Sequence, residues 1–451
     1  MELYYGYSGN VARILRSIGV EPGDKIVVVL KDGTVFNGIL MPRQVLYSGR
    51  PVLVLKLDNG YNIGLNIDEV SDLRPVSKKQ VHHHVGVEAV GRAEGLPRIV
   101  LLGTGGTIAS KVDYETGAVT PVLTPGEILE WVPELAEIAV FNAREVMSIF
   151  SEDIEPLHWE NLSREVYKEL VEGVDGVVIA HGTDMMSYSA SALAFSIVNK
   201  PAPIVFVGSQ RSSDRPSSDS AFNLRAAFIA ASKGSFAESV IVMHGETSDT
   251  YALVHRGVKA RKMHTSRRDA FQSINDKPIA KVYPETMEVR IVGRIIEHRG
   301  KNKEAQLKNK FDDRVALVKV YPGLQPEVLE TLIDKGFHGI VLEGSGLGHM
   351  PNKLIPVIAR AVENDIPVVM TSQCLFGRVN LYVYSTGRRL LEAGVIPGSD
   401  ILPETAYVKL SWILGSVSRD LEEVRKVFLT NLAGEFNERH ILDLYPRWNH
   451  E

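Results

Sequence analysis

The chain has 451 residues, 44% hydrophobic and 23% charged, with 50 basic against 55 acidic side chains and a formal net charge of −5. That length exceeds one ordinary core, so two or three domains are expected, and the acidic balance excludes a global basic field, leaving nucleic-acid contact to a local patch or a partner. A single cysteine, Cys374, excludes intramolecular disulfides and thiolate zinc sites.

Residues 1–76 begin with a helix-like stretch from Asn10 to Ile18. Two alternating apolar and polar runs follow, each folded about a turn dipeptide, Asp32-Gly33 and Asn59-Gly60. Such dipeptides between β-rich runs signal hairpins, and two in so short a span predict a small all-β barrel. Residues 77–97, with Lys78-Lys79, His82-His83-His84, scattered glycine and no sustained period, read as a linker, and three adjacent imidazoles cannot all face one metal ion. From Arg98 the pattern changes to short Val/Ile runs at 99–102, 177–180, 204–207 and 240–243, separated by helix-length spacers. That alternation predicts an α/β domain with a mainly parallel sheet over 98–300. A charged linker at 301–313 separates it from a second α/β domain at 314–430, with runs at 315–321, 339–344 and 367–372. A polar tail, 431–451, closes the chain. The N-terminus lacks the apolar run of a signal peptide and no stretch approaches the roughly 18 apolar residues of a membrane span, so a cytoplasmic protein with no membrane contact is expected.

Three segments carry candidate chemistry. LGTGGTIAS (102–110) follows the first strand of the α/β region and puts Thr107 on a glycine-rich loop at the strand's carboxyl end, where open α/β sheets bind ligands. Taken alone it also fits a glycine turn with Thr107 capping a helix. AHGTDM (180–185) ends another strand run and sets a hydroxyl beside a carboxylate, although on this segment alone an N-cap for the helix SYSASALAFSI is the favoured reading. VHRGVKARKMHTSRRDAF (254–271) is dense in cations and offers Lys259, Arg261 or Lys262 as a base, or else a solvated basic loop. Cys374, just past an apolar run, reads as a buried structural thiol. Glu343-Gly344-Ser345-Gly346 reads as a turn at a strand end.

In this order and approximate spacing, the three segments resemble the asparaginase/glutaminase family with two threonines, over about residues 98–430. The resemblance implies two asparaginase-like α/β domains. It makes Thr107 the nucleophile, Tyr114 its helper on the following loop, and Thr183, Asp184 and Lys262 a second triad. Ser151 and Glu152 match positions that hold the α-carboxylate and α-amino group of glutamine or asparagine, and Gly106 and Gly182 join them on the two glycine turns. Backbone N–H groups on those turns would serve the oxyanion. Because Thr107 is internal, it has no α-amine of its own to deprotonate it, so a neighbouring base is required. A metal site is not implied. In this family the loop at Glu343 can also complete a neighbouring protomer's site, which implies a homodimer through the asparaginase-like body.

Free-standing asparaginases lack the 1–76 segment. A small Sm- or SH3-like barrel ahead of such a body, with GSQRSSDRPSSDSAFNLR (208–225) and PETAYVKLSWILG (403–415), resembles the D-subunit family of archaeal glutamyl-tRNA(Gln) amidotransferases. This implies a glutaminase that supplies ammonia for converting Glu-tRNA(Gln) to Gln-tRNA(Gln). A partner E subunit would carry ATP and Mg and would hold most of the tRNA(Gln) contacts, and this chain would need no cofactor. The mixed charge of the barrel favours protein association over direct RNA contact. The alternatives are a free-standing L-asparaginase with an accessory barrel, or an amino-acid-binding module that has lost catalysis.

Overall fold

A computed structural model describes residues 4–42, 51–57, 61–77, 95–105, 110–112, 119–121, 128–129, 132–213 and 217–445. The Asn59-Gly60 turn, His82-His83-His84, Gly106, Thr107 and Tyr114 lie outside the described residues.

The N-terminal unit opens with the helix Gly9–Ser17, whose apolar stripe buries Val11, Ala12 and Leu15. Five antiparallel strands follow: Lys25–Leu30, Val35–Leu40, Val52–Leu57, Asn62–Asn66 and Val70–Ser77. Their spatial order places 62–66 at one edge, then 52–57, 35–40 and 25–30, with 70–77 at the other edge. Alternation turns Ile26, Val28, Leu53 and Leu55 inward against the helix. Tyr7, fully buried, donates its hydroxyl to Met41 O (2.6 Å) and accepts from Val54 N (3.1 Å), tying the start of the chain to two strands.

The larger α/β unit is built on an eight-stranded sheet. Five strands run parallel: Val140–Glu145, Arg98–Gly103, Gly176–Ala180, Ile204–Val207 and Ser239–His244. The sheet is mainly parallel, as expected, and changes direction beyond His244. There Ala252–Arg256, Ala280–Tyr283 and Glu288–Ile291 continue the sheet antiparallel. Two of the connections, seven residues between His244 and Ala252 and four between Tyr283 and Glu288, are too short for a crossover helix, and the third, 257–279, is taken up by the hairpin of Ala260–Lys262 and Phe271–Ser273. In the parallel half both faces are covered. Val177 and Ile179 enter one core while Val178 and Ala180 enter the other, which is why such strands read as unbroken apolar runs.

A second, parallel sheet is ordered Val315–Lys319, Gly339–Gly344, Val368–Ser372 and Ile396–Pro397. The core on one face of the first sheet continues into it: Phe195 and Phe206 share that cluster with Val341, Val369 and Ile413. The helix Pro403–Ser416 lies in this shared core and is buried nearly all round, from Thr405 through Lys409 to Leu414. The 301–313 linker is laid onto the first unit, where Gln306–Leu307 pairs with Ile197–Val198. Among the described residues no helix is long and apolar enough to cross a membrane.

Candidate active site

Parallel register aligns the strand ends: Gly103 pairs with Ala180, and Ala180 with Val207. The loops that leave them therefore open on one edge. Thr104 holds the first two ends together, donating both its N–H (3.0 Å) and its hydroxyl (3.1 Å) to Ala180 O. The chain then turns through Gly105 at φ +99°, where a Cβ would sit 2.3 Å from Ile149 O. Only glycine permits that approach and that backbone conformation. Ile149 N in turn donates to Thr104 O at 3.2 Å.

Two residues beyond Ile149 comes Ser151, in the short turn Ser151–Asp153. Ser151 is buried and Glu152 exposed, with Ser151 Oγ 3.5 Å from Glu152 Oε2. Gly182 presses on the same turn: a Cβ there would lie 2.8 Å from Ser151 Cβ and 2.9 Å from its Oγ. Both glycine turns thus converge on residues 149–151.

Thr183 and Asp184 do not cap the helix that follows them. The helix Met186–Ser196 takes Met185 as its flanking residue, and both side chains turn instead to Lys262. Lys262 Nζ donates to Thr183 Oγ1 at 2.9 Å and to Asp184 Oδ1 at 2.7 Å. The lysine side chain is 13% exposed and that of Asp184 64%, so one end of the pair faces solvent. Lys262 ends the strand Ala260–Lys262, which pairs with Phe271–Ser273.

The three candidate cations of this segment are separated by their partners. Lys259 points into the body, 2.8 Å from Asp400 Oδ2, and Arg261 meets Glu404 Oε1 at 3.1 Å. Only Lys262 faces the threonine. Strand alternation alone sends Arg261 and Lys262 to opposite faces.

Beneath the loop lies a polar relay that no sequence motif announces. The indole N–H of Trp159 can only donate, and it donates to Ser189 Oγ at 3.0 Å. The Ser189 hydroxyl is then free to donate to His181 Nε2 (2.9 Å), leaving Nδ1–H to donate to Gly182 O at 2.6 Å. Burial pulls the His181 imidazole down to about 4, which keeps it neutral, although its bond to the Gly182 carbonyl opposes the shift. The histidine fixes the peptide that precedes Thr183. Its one signal in the sequence is its place beside Gly182. A second network steadies the neighbouring loop. Asn223 donates to Gly208 O (3.0 Å) and Asp219 Oδ2 (3.0 Å), and its Oδ1 meets His244 Nδ1 at 2.7 Å. A Cβ on Gly208 would come within 2.7 Å of Thr183 Cγ2.

Cys374 is exposed, not buried as expected. The strand Val368–Ser372 ends two residues earlier and the chain turns outward, with Cys374 N donating to Ser372 Oγ at 3.0 Å. Among the described residues no group of three or more His, Cys, Asp or Glu side chains is placed to hold a metal ion.

Comparison with known proteins accounts for each part of this architecture. Residues 98–295 match the family described as asparaginase, N-terminal, residues 314–428 the glutaminase/asparaginase C-terminal domain, and residues 20–74 the GatD N-terminal domain. The D subunit of glutamyl-tRNA(Gln) amidotransferase from Pyrococcus abyssi is 50% identical over 97% of this chain and 97% of its own length. That from Thermococcus kodakarensis is 52% identical over 97% of this chain and 99% of its own. The chain belongs to this GatD family, asparaginases with a GatD N-terminal domain. Among solved structures, the thermostable L-asparaginase from Thermococcus kodakarensis has a TM-score of 0.67 at 37% identity, covering 76% of this chain and all of that one. L-asparaginase I from Vibrio cholerae gives 0.66 at 27% identity over the same shares. The free-standing asparaginases therefore leave about a quarter of the chain uncovered, whereas the GatD relatives span nearly all of it.

Proposed function

We propose that this chain is the ammonia-releasing component of a tRNA-dependent amidotransferase, hydrolysing the side-chain amide of glutamine or asparagine. The observation that carries the reading is the contact of Lys262 with both Thr183 and Asp184 at the carboxyl edge of the asparaginase sheet. Amide hydrolysis needs a nucleophile, a base and donors for an oxyanion. A lysine held between a hydroxyl and a carboxylate supplies the second, since the amine, once it has lost a proton, takes one from the hydroxyl it touches.

In this reading Thr107 Oγ attacks the amide carbon with help from Tyr114, forming a tetrahedral oxyanion held by backbone N–H groups at Gly106 and Gly182. Collapse breaks the C–N bond, ammonia leaves with the proton supplied to its nitrogen, and an acyl-threonine remains. Water activated through Thr183 and Lys262 then hydrolyses the ester and frees glutamate or aspartate. Direct attack by water held on Thr183 is the competing order of events. Ser151 receives the substrate's α-carboxylate, and Glu152 with the open side of Asp184 receives its α-ammonium.

The chain needs no cofactor for this step. An E subunit would bind ATP and Mg, contact most of the tRNA(Gln) and consume the ammonia, while the N-terminal sheet serves association. The body forms a homodimer in the cytoplasm. The GatD relatives, matched over almost the whole chain, support this over a free-standing asparaginase. The test is glutamine-dependent ammonia release by the purified chain, with and without a candidate E subunit and glutamyl-tRNA(Gln). Stimulation by both supports the amidotransferase reading. Full activity on asparagine, indifferent to both additions, overturns it in favour of a free-standing asparaginase.

A further inference from the structure

Three residues before Lys262, the side chain of Lys259 is fully buried. Its Nζ donates to Asp400 Oδ2 at 2.8 Å and to Asp400 O at 3.1 Å, so a residue of the C-terminal α/β unit holds the turn Gly257–Lys259 that leads into the strand of Lys262. The carboxylate of Asp400 is in turn filled by the tail: Asn437 N donates to Oδ1 (3.0 Å) and Asn437 Nδ2 to Oδ2 (2.8 Å). The same Nδ2 reaches Asn275 O at 2.6 Å, just past Phe271–Ser273, the strand that pairs with Ala260–Lys262. Ile274 N closes the loop by donating to Lys259 O at 2.8 Å. Both strands of the hairpin that presents Lys262 are therefore anchored, at the end away from Thr183, to one carboxylate and one amide outside their own unit.

A buried ion pair is weak evidence for stability, because desolvation offsets attraction, but it fixes geometry when its charges are hydrogen-bonded. Here Lys259 Nζ makes two hydrogen bonds and both oxygens of Asp400 accept. We propose that Asp400 and Asn437 are positioning residues for Lys262, acting through Lys259 and through Phe271–Ser273. The assignment rests on the amidohydrolase reading of the Thr183–Lys262–Asp184 cluster. The tail also supplies an internal control. Lys409 and Glu435 form a second fully buried pair, whose lysine also donates to Phe428 O and Thr430 O and whose carboxylate accepts from Leu432 N and Ala433 N. None of those groups belongs to the hairpin.

The experiment measures ammonia release from glutamine by the whole protein, with its partner where required, as kcat per folded protein and KM. Asp400→Asn sets an amide N–H against a donor at either oxygen, and Glu435→Gln does the same in the control pair. Asp400→Asn is expected to lower kcat on the order of 10²-fold, the cost of moving a catalytic group by about 1 Å, with KM within about twofold. Asn437→Ala, which buries no unpaired charge, lowers kcat about tenfold and keeps the fold if Asp400→Asn does not. Glu435→Gln lowers the melting temperature but holds kcat within about twofold. An active wild type, an inactive Lys262→Ala and an unchanged kcat for Asn437→Ala overturn this assignment alone, as does an equal loss in Glu435→Gln. A wild type that releases no ammonia overturns the reading of the site and this assignment with it.

Discussion

Lys262 Nζ lies 2.9 Å from Thr183 Oγ1 and 2.7 Å from Asp184 Oδ1. One cation thus holds two side chains that are adjacent in sequence, bridging 78 residues of chain to the nearer of them. The carboxylate keeps an open side while the lysine is largely covered. That asymmetry suits the role proposed for Asp184, in which one oxygen orients Lys262 and the other is left for a substrate ammonium.

Replacing either end of this contact should stop the chemistry without unfolding the chain. Thr183→Val keeps the shape and removes the hydroxyl, and Lys262→Ala removes the base. Each is expected to lower glutamine-dependent ammonia release on the order of 10²–10⁴-fold, the usual worth of a placed general base. Far-UV circular dichroism and the melting temperature should stay close to wild type. Wild-type-like release from either variant removes the triad from the mechanism.

Much of this arrangement is legible in the sequence, for identifiable reasons. A strand buried on both faces must be apolar throughout, so Val177–Ala180 and Ile204–Val207 announce themselves as strands. A glycine turn at a strand's carboxyl end marks the site edge, and Thr183 and Asp184 follow from it. The strand Val140–Glu145 is harder to see, because it is a sheet edge whose exposed positions carry Asn142 and Glu145. Which of Lys259, Arg261 and Lys262 faces the threonine depends on distant partners, Asp400 lying 141 residues from Lys259 and Glu404 just beyond it in the chain. Local pattern does not carry that information. Cys374 misleads because an apolar run says where a strand lies and not where it stops.

Gly182 has room for no side chain. Gly182→Ala would drive its Cβ to 2.8 Å from Ser151 Cβ, and overpacking of this kind costs about 1–3 kcal/mol. The melting temperature is expected to fall, and Ser151→Gly in the same chain should restore most of the loss by removing both clashing atoms. A melting temperature for Gly182→Ala equal to wild type would show that the turn gives way freely and does not hold the substrate position rigidly.

A homodimer is expected from the proposed function. Tyr382, Val383 and Tyr384 are three consecutive large apolar side chains left 67%, 52% and 59% exposed, in the C-terminal unit whose loop at Glu343 is proposed to complete a neighbouring site. Sedimentation equilibrium should return twice the chain mass, and Val383→Glu should shift it toward one. A wild-type monomer at micromolar concentration removes the dimer from the proposal.

Stability should depend on pH through two buried imidazoles. Burial pulls both His181 and His255 down to about 4, so the folded state refuses a proton that the unfolded chain takes up below about 6.5. Stability is therefore fully present above about 6.5, falls as pH drops toward about 4, and loses no more from these groups below that; each contributes about 3 kcal/mol across the window. Urea denaturation of wild type and His181→Gln at pH 7 and pH 4.5 isolates one imidazole from the titrating carboxylates. The wild type should lose more stability between the two, and equal losses would show that His181 is protonated as readily folded as unfolded.

The relay under the loop makes the last prediction. Ser189 is the only described contact between the Trp159 indole N–H and His181 Nε2, accepting from one and donating to the other. Ser189→Ala removes both bonds and leaves a buried donor facing a buried acceptor across the lost oxygen. Each unsatisfied group costs about 1–3 kcal/mol, less whatever the two recover by moving together. Free of its acceptor bond, Nε2 also competes with Nδ1 for the ring proton, and the tautomer with the proton on Nε2 loses the bond to Gly182 O. Ser189→Ala should therefore lower both the melting temperature and kcat for ammonia release. Ser189→Thr, which keeps the hydroxyl, should restore kcat further than it restores stability, because the added methyl group enters a fully packed helix face. If Ser189→Ala lowers the melting temperature and leaves kcat per folded protein unchanged, the relay supports the loop without setting the geometry of Thr183.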